Sequence, residues 1–136
     1  MSFTLHPTLA RDTVEVTRLA LCRVLLMKDA RFPWLILVPE RDGAREIHDL
    51  EPADRAILIE EIAQASQILQ RLFHPDKLNV GALGNVVPQL HAHVVARTTG
   101  DAAWPGPVWG SGVAVQYGAA ELEELRGRVA VAFRKE

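Results

Sequence analysis

Gln89, His91 and His93 alternate with apolar residues in the stretch QLHAHVV. On an extended strand successive side chains point to opposite faces, so these three share one row while Leu90, Ala92, Val94 and Ala96 form the other. Neighbours in such a row stand roughly 7 Å apart, close enough for two imidazoles to act on one small ligand. An imidazole can serve as nucleophile, as general acid or base near neutral pH, or as metal ligand. A pair of surface histidines on a half-exposed strand is the ordinary alternative, and spacing alone does not separate these uses.

A catalytic zinc would need a third protein ligand. His6, His48, His74 and the carboxylates stand at no spacing that recruits one, and Cys22 lies in an apolar run, so no metal site is expected. The residues just ahead of the row suit a phosphate instead. In GALGNVVP, Gly81 and Gly84 let backbone N–H groups approach a ligand closely, and the Asn85 amide can donate to a phosphate oxygen. Gly-Asn by itself is a common turn dipeptide. It gains weight here only because the histidines follow within a few residues.

Several elements must position these groups. Leu21 to Met27 and Trp34 to Val38 are short apolar runs separated by KDARFP, whose Asp29 and Pro33 suit a turn, and they predict an antiparallel hairpin. From Pro52 to Phe73 apolar residues recur at helical spacing, with Pro52 where a first helical turn tolerates it. KLNVGAL predicts a further strand, GNVVP a tight connection, and Gln89 to Arg97 a strand with the even-numbered face in the core. Leu122, Leu125, Val129 and Phe133 mark a C-terminal helix over 120–134. This order predicts an α+β domain whose antiparallel sheet carries helices on one face.

With 136 residues, of which 49% are hydrophobic, residues 1–136 are expected to form one domain with a single chain-length core. Fifteen Lys and Arg against 17 Asp and Glu leave a net charge of -2, so no broad basic face is available for a nucleic-acid backbone. No secretory signal or 18-residue apolar run is present, so no membrane partner is expected. The single Cys22 cannot form an internal disulfide, which fits a reducing, cytoplasmic setting.

The stretch LNVGALGNVVPQLHAHVVAR resembles the signature of the histidine triad (HIT) superfamily of nucleotide hydrolases and transferases, in which three histidines alternate with apolar residues. The similarity runs from the hairpin through the helix to AWPGPVWG, about residues 20 to 110. It implies a HIT-like antiparallel sheet of about five strands with one long helix and a C-terminal helix. His91 matches the middle histidine, which in the family attacks the α-phosphorus and becomes transiently nucleotidylated. His93 matches the third, near the leaving group. Asn79 and Asn85 resemble residues that hold phosphate oxygens, with Gly84 beside them, and Asp29 falls where an acidic or amide side chain meets the ribose. The implied substrates are dinucleoside polyphosphates or nucleoside phosphoramidates. No cofactor is required, although Mg2+ can arrive with a polyphosphate, and the implied assembly is a homodimer.

Gln89 departs from the pattern, standing where the first histidine belongs; it is expected to bind substrate by hydrogen bonding but cannot exchange a proton near neutral pH. A nucleotide-binding module with weak or no turnover is therefore the alternative to an enzyme, and a protein with incidental histidines is the third reading. Other residues have plainer expectations. Trp104 and Trp109 resemble a Trp-Pro segment that can approach the site, but loop packing or a dimer contact accounts for them as well. His48 is expected to support the turn before the long helix, His74 to cap its end, and Arg97 to be a solvated strand end on the histidine face.

Overall fold

The structure, a computed structural model, describes residues 3–135; Met1, Ser2 and Glu136, which the single-domain reading included, lie outside the described residues. Five strands, β1 (Thr13–Arg18), β2 (Cys22–Met27), β3 (Trp34–Pro39), β4 (Lys77–Gly81) and β5 (Ala92–Arg97), form one sheet in the order β1-β2-β3-β5-β4. Every neighbouring pair is antiparallel. Helix α1 (Pro7–Asp12) precedes the sheet, α2 (Pro52–Phe73) connects β3 to β4, and α3 (Ala119–Arg134) closes the chain.

The elements with strong local signals form where the sequence predicts them. Pro52 opens α2, where its missing N–H costs nothing. His74 ends α2 in the left-handed conformation with its N–H on the Gln70 carbonyl, as expected of a helix cap. The hairpin β2–β3 pairs Leu25 with Ile36 and Leu26 with Leu35. Strand β1 and helix α1 were not anticipated, although Val14 and Val16 alternate with polar residues in TVEVTR. Alternation over so few residues is a weak signal until a partner strand is known.

Two corrections bear on the site. The strand expected from Gln89 begins at Ala92, so Gln89, Leu90 and His91 belong to the connection leading into β5. The sheet is also covered on both faces. On one, α2 and α3 pack against Val24, Leu26, Leu35, Leu37, Val94 and Ala96. On the other, Trp34, Ile36, Val38 and Val95 pack with Leu9 of α1, Phe32, Val87 and Val108. The central strands β3 and β5 therefore read as buried at every position rather than as a half-solvated alternation.

The carboxylate of Glu61 on α2 is buried and accepts the backbone N–H groups of Leu21 and Cys22 at 3.0 and 2.9 Å. It fastens the long helix to the start of β2 and gives two buried backbone donors an acceptor.

Candidate active site

A cleft of about 590 Å³ opens at the second face of the sheet, within the range of small-ligand sites. Asp29, Gly84, Asn85, His91 and His93 all line it. Both histidines are only 6% exposed, which removes the reading of an incidental surface pair. Their rings meet edge to face with centroids 4.8 Å apart. They come closer than strand spacing implies because His91 sits in the connection and only His93 in the strand.

His91 Nδ1 lies 2.7 Å from the backbone carbonyl of Gln89. A carbonyl only accepts, so Nδ1 carries the proton and Nε2 keeps its lone pair. Burial pushes the His91 pKa below its ordinary value; the carbonyl bond opposes this, and nearby His6 adds to it. The imidazole is thereby held neutral, the state a nucleophile requires. His93 Nδ1 accepts from the indole N–H of Trp34 at 3.0 Å. Burial, with a contribution from His91, pushes its pKa down to about 4.

Two tryptophans complete the histidine pocket. Trp34 is tilted against His93 with ring centroids 5.7 Å apart, and Trp109 meets it edge-on at 5.3 Å. Trp109 also lies over Gly81, where a Cβ would stand 3.0 Å from the indole, so glycine at this point of β4 makes room for the ring. Of the two tryptophans weighed from the sequence, Trp109 reaches the cleft while Trp104 stacks over the Arg97 guanidinium.

Asp29 is present but committed. Its carboxylate takes a two-pronged contact from Arg31, at 3.0 and 2.8 Å, and accepts the backbone N–H groups of Arg31 and Val115 at 3.1 and 3.3 Å. Burial alone would raise its pKa, but these bonds together hold it below the usual carboxylate range. Arg31 also donates to the Ser111 carbonyl at 2.6 Å, so the pair ties the cleft wall to the loop that follows Trp109.

Two expected residues are not brought to the cleft. The Asn79 side-chain oxygen Oδ1 accepts from Arg97 Nη1 at 2.8 Å, and Asn79 does not line the cavity. The Gln89 amide accepts from the His6 N–H and donates to the Thr4 carbonyl, both at 2.9 Å, and turns to the N-terminal segment. Arg97 is a correction: it is 1% exposed rather than solvated. Asp101 meets it with two bonds of 2.9 Å, and the Phe32 and Trp104 rings lie against it. This guanidinium brings the Asp101 carboxyl down to about 2 and anchors the loop that delivers Trp109. Exposed His48 lies in the short 3-10 turn before α2, as anticipated.

Trp34 and Arg31 escaped the sequence reading. Trp34 shares a face with His93 only through the pairing of Ile36 with His93 in the β3–β5 register, which local pattern does not reveal. Among the described residues, no group of three or more His, Cys, Asp or Glu side chains could hold a metal ion. No helix among them is long and apolar enough to cross a membrane.

The chain is similar in sequence and fold to known proteins. A family model described as the HIT domain matches residues 10–100. A histidine triad protein of Bradyrhizobium japonicum superposes with a TM-score of 0.93 at 45% identity, over 97% of this chain and 98% of that one. One from Marinobacter aquaeolei gives 0.95 at 42% identity, over 99% and 98%. One from Sinorhizobium meliloti gives 0.93 at 44% identity, over 96% of each. No curated protein sequence matches the chain.

Proposed function

The chain belongs to the HIT domain family, and from that premise we propose that it is a nucleotide hydrolase or nucleotidyl transferase acting at an α-phosphate through His91. One observation carries the reading: a buried neutral imidazole, proton fixed on Nδ1 by a backbone carbonyl, lines a cleft beside a second histidine. That is the arrangement of an activated nucleophile.

In this reading Nε2 of His91 attacks the α-phosphorus, an N–P bond forms, and the bond to the leaving group breaks. The leaving group takes a proton from solvent, with His93 close to the departing atom. Water then attacks phosphorus, the N–P bond breaks, one proton is lost to solvent, and neutral His91 returns. In the same reading the Gly84 backbone and the Asn85 amide, both of which line the cleft, donate to phosphoryl oxygens. Loss of one such donor costs about 10²–10³ in rate. Asp29 holds the ribose end with any acceptor capacity that Arg31 leaves. The substrates are dinucleoside polyphosphates or nucleoside phosphoramidates, and magnesium enters only with a polyphosphate.

The functional assembly is a homodimer. β4 is an edge strand flanked by exposed Val80, Ile59 and Ile47 beside an apolar groove, whereas the opposite edge, β1, carries Glu15 and Arg18. The buried lone thiol of Cys22 supports a reducing, cytoplasmic setting.

The test is a single-turnover incubation with α-³²P-labelled adenosine phosphoramidate or diadenosine tetraphosphate, quenched in alkali. Label on the wild-type protein, absent from His91→Ala, together with AMP release, is expected. A folded protein that binds AMP but neither takes label nor forms product would make it a binding module instead.

A further inference from the structure

We propose that Trp34 is a positioning residue: its indole N–H holds His93 in the tautomer protonated on Nε2, so His93 offers the cleft an N–H donor beside the lone pair of His91.

An indole nitrogen donates and never accepts. Trp34 Nε1 lies 3.0 Å from His93 Nδ1, so that nitrogen must be bare. The opposite tautomer would set two N–H groups against each other at a contact that is itself buried, leaving both donors unpaired. The contact is not a loose one. Trp34 is the first residue of β3, 5% exposed, with the Phe32 ring edge-on at 6.3 Å. His93 is enclosed by Trp34, Trp109 and His91. Both rings are packed against aromatic neighbours.

The two histidines are therefore held in opposite tautomers by two different partners. A backbone carbonyl keeps the proton of His91 on Nδ1, and an indole keeps that of His93 off Nδ1. Across 4.8 Å, one ring presents a lone pair and the other an N–H. A displacement at phosphorus uses both, the first to attack and the second to hydrogen-bond the atom that gains negative charge. This catalytic consequence rests on the nucleotidyl-transfer reading; the tautomer assignment does not.

The test uses the full-length, ¹⁵N-labelled protein. Long-range ¹H–¹⁵N correlation, with His93→Gln as the assignment control, is expected to show His93 protonated on Nε2. A ¹⁵N–¹⁵N coupling across the hydrogen bond is expected between the Trp34 indole and His93. In Trp34→Phe the coupling disappears, the Nδ1-protonated form of His93 gains population, and kcat falls about 10–100-fold with KM nearly unchanged, the size usual for partners that orient a functional histidine. A wild-type His93 protonated on Nδ1, or without the coupling, overturns the assignment, and this holds even if Trp34→Phe fails to fold. An unchanged His93 tautomer in a folded Trp34→Phe overturns it too. The coupling in a protein that turns over no nucleotide upholds the assignment and removes only its catalytic consequence.

Discussion

The backbone N–H of His6 donates to the side-chain oxygen of Gln89 at 2.9 Å, joining residues 83 apart in sequence. Gln89 thus divides its work. Its side chain clamps the N-terminal segment, while its backbone carbonyl orients His91. The residue that interrupts the histidine row faces away from the cleft, and any residue there would supply the same carbonyl.

Gln89→Ala should therefore keep most of its turnover. Thermal denaturation is expected to show a loss of about 1–2 kcal/mol for the two hydrogen bonds, with earlier proteolysis before Pro7. A fall in kcat as deep as that of His91→Ala would place the Gln89 side chain in the reacting site.

Acid should destabilise the fold through His93. Its folded pKa of about 4 lies below the ordinary 6.5, so between these values the unfolded chain binds a proton that the folded chain refuses. Stability is full above pH 6.5 and declines as pH falls toward 4, by about 3 kcal/mol over the whole window. Urea denaturation at pH 7.5 and pH 5 would measure this, and His93→Gln should flatten the difference.

Asp101→Asn leaves the Arg97 guanidinium buried and short of its counter-charge. A loss of about 3 kcal/mol is expected, the usual result of removing one partner of a buried pair. Because this pair anchors the loop that carries Trp109, a weaker nucleotide affinity by titration calorimetry should accompany the lower Tm. A Tm within a degree of wild type would show that Asn79 and the aromatic rings suffice.

Gly81→Ala pushes a methyl group to 3.0 Å from the Trp109 ring. The ring must shift by a few tenths of an ångström, at a cost of about 1 kcal/mol as in mild overpacking. Trp109 touches His93, so KM is expected to rise severalfold while the protein stays folded. Unchanged KM and stability would mean that the loop follows the ring freely.

Light scattering at micromolar concentration should give twice the chain mass. Val80→Lys, which puts a charge on the exposed face of β4, should give a monomer. A monomeric wild type would remove the homodimer.

Much of the architecture was legible because it is local. Helix α2 follows from apolar spacing, Pro52 and a cap at His74, all contained within one segment. β1 was missed because six residues, two of them valine, acquire meaning only beside β2. Arg97 looked like a solvated end because a charge at a strand terminus normally is one. Its burial depends on Asp101 and Trp104, which follow within the next loop, and on Asn79 and Phe32, which are distant in the chain.

For the site, the sequence by itself determined which chemistry was on offer: two imidazoles in a row, a Gly-Asn turn ahead of them, and the likeness to a nucleotide-acting family. The nucleophile reading also asks for a backbone carbonyl on the second ring nitrogen of His91; only the tertiary structure decided which carbonyl that is and which nitrogen of His93 holds the proton. The Trp34 indole that sets it for His93 lies 59 residues away and arrives through strand register. His91 is set by a carbonyl only two residues off, whose direction follows from β5 beginning at Ala92. A tautomer is a property of the hydrogen-bond partner, and partners are chosen by folding.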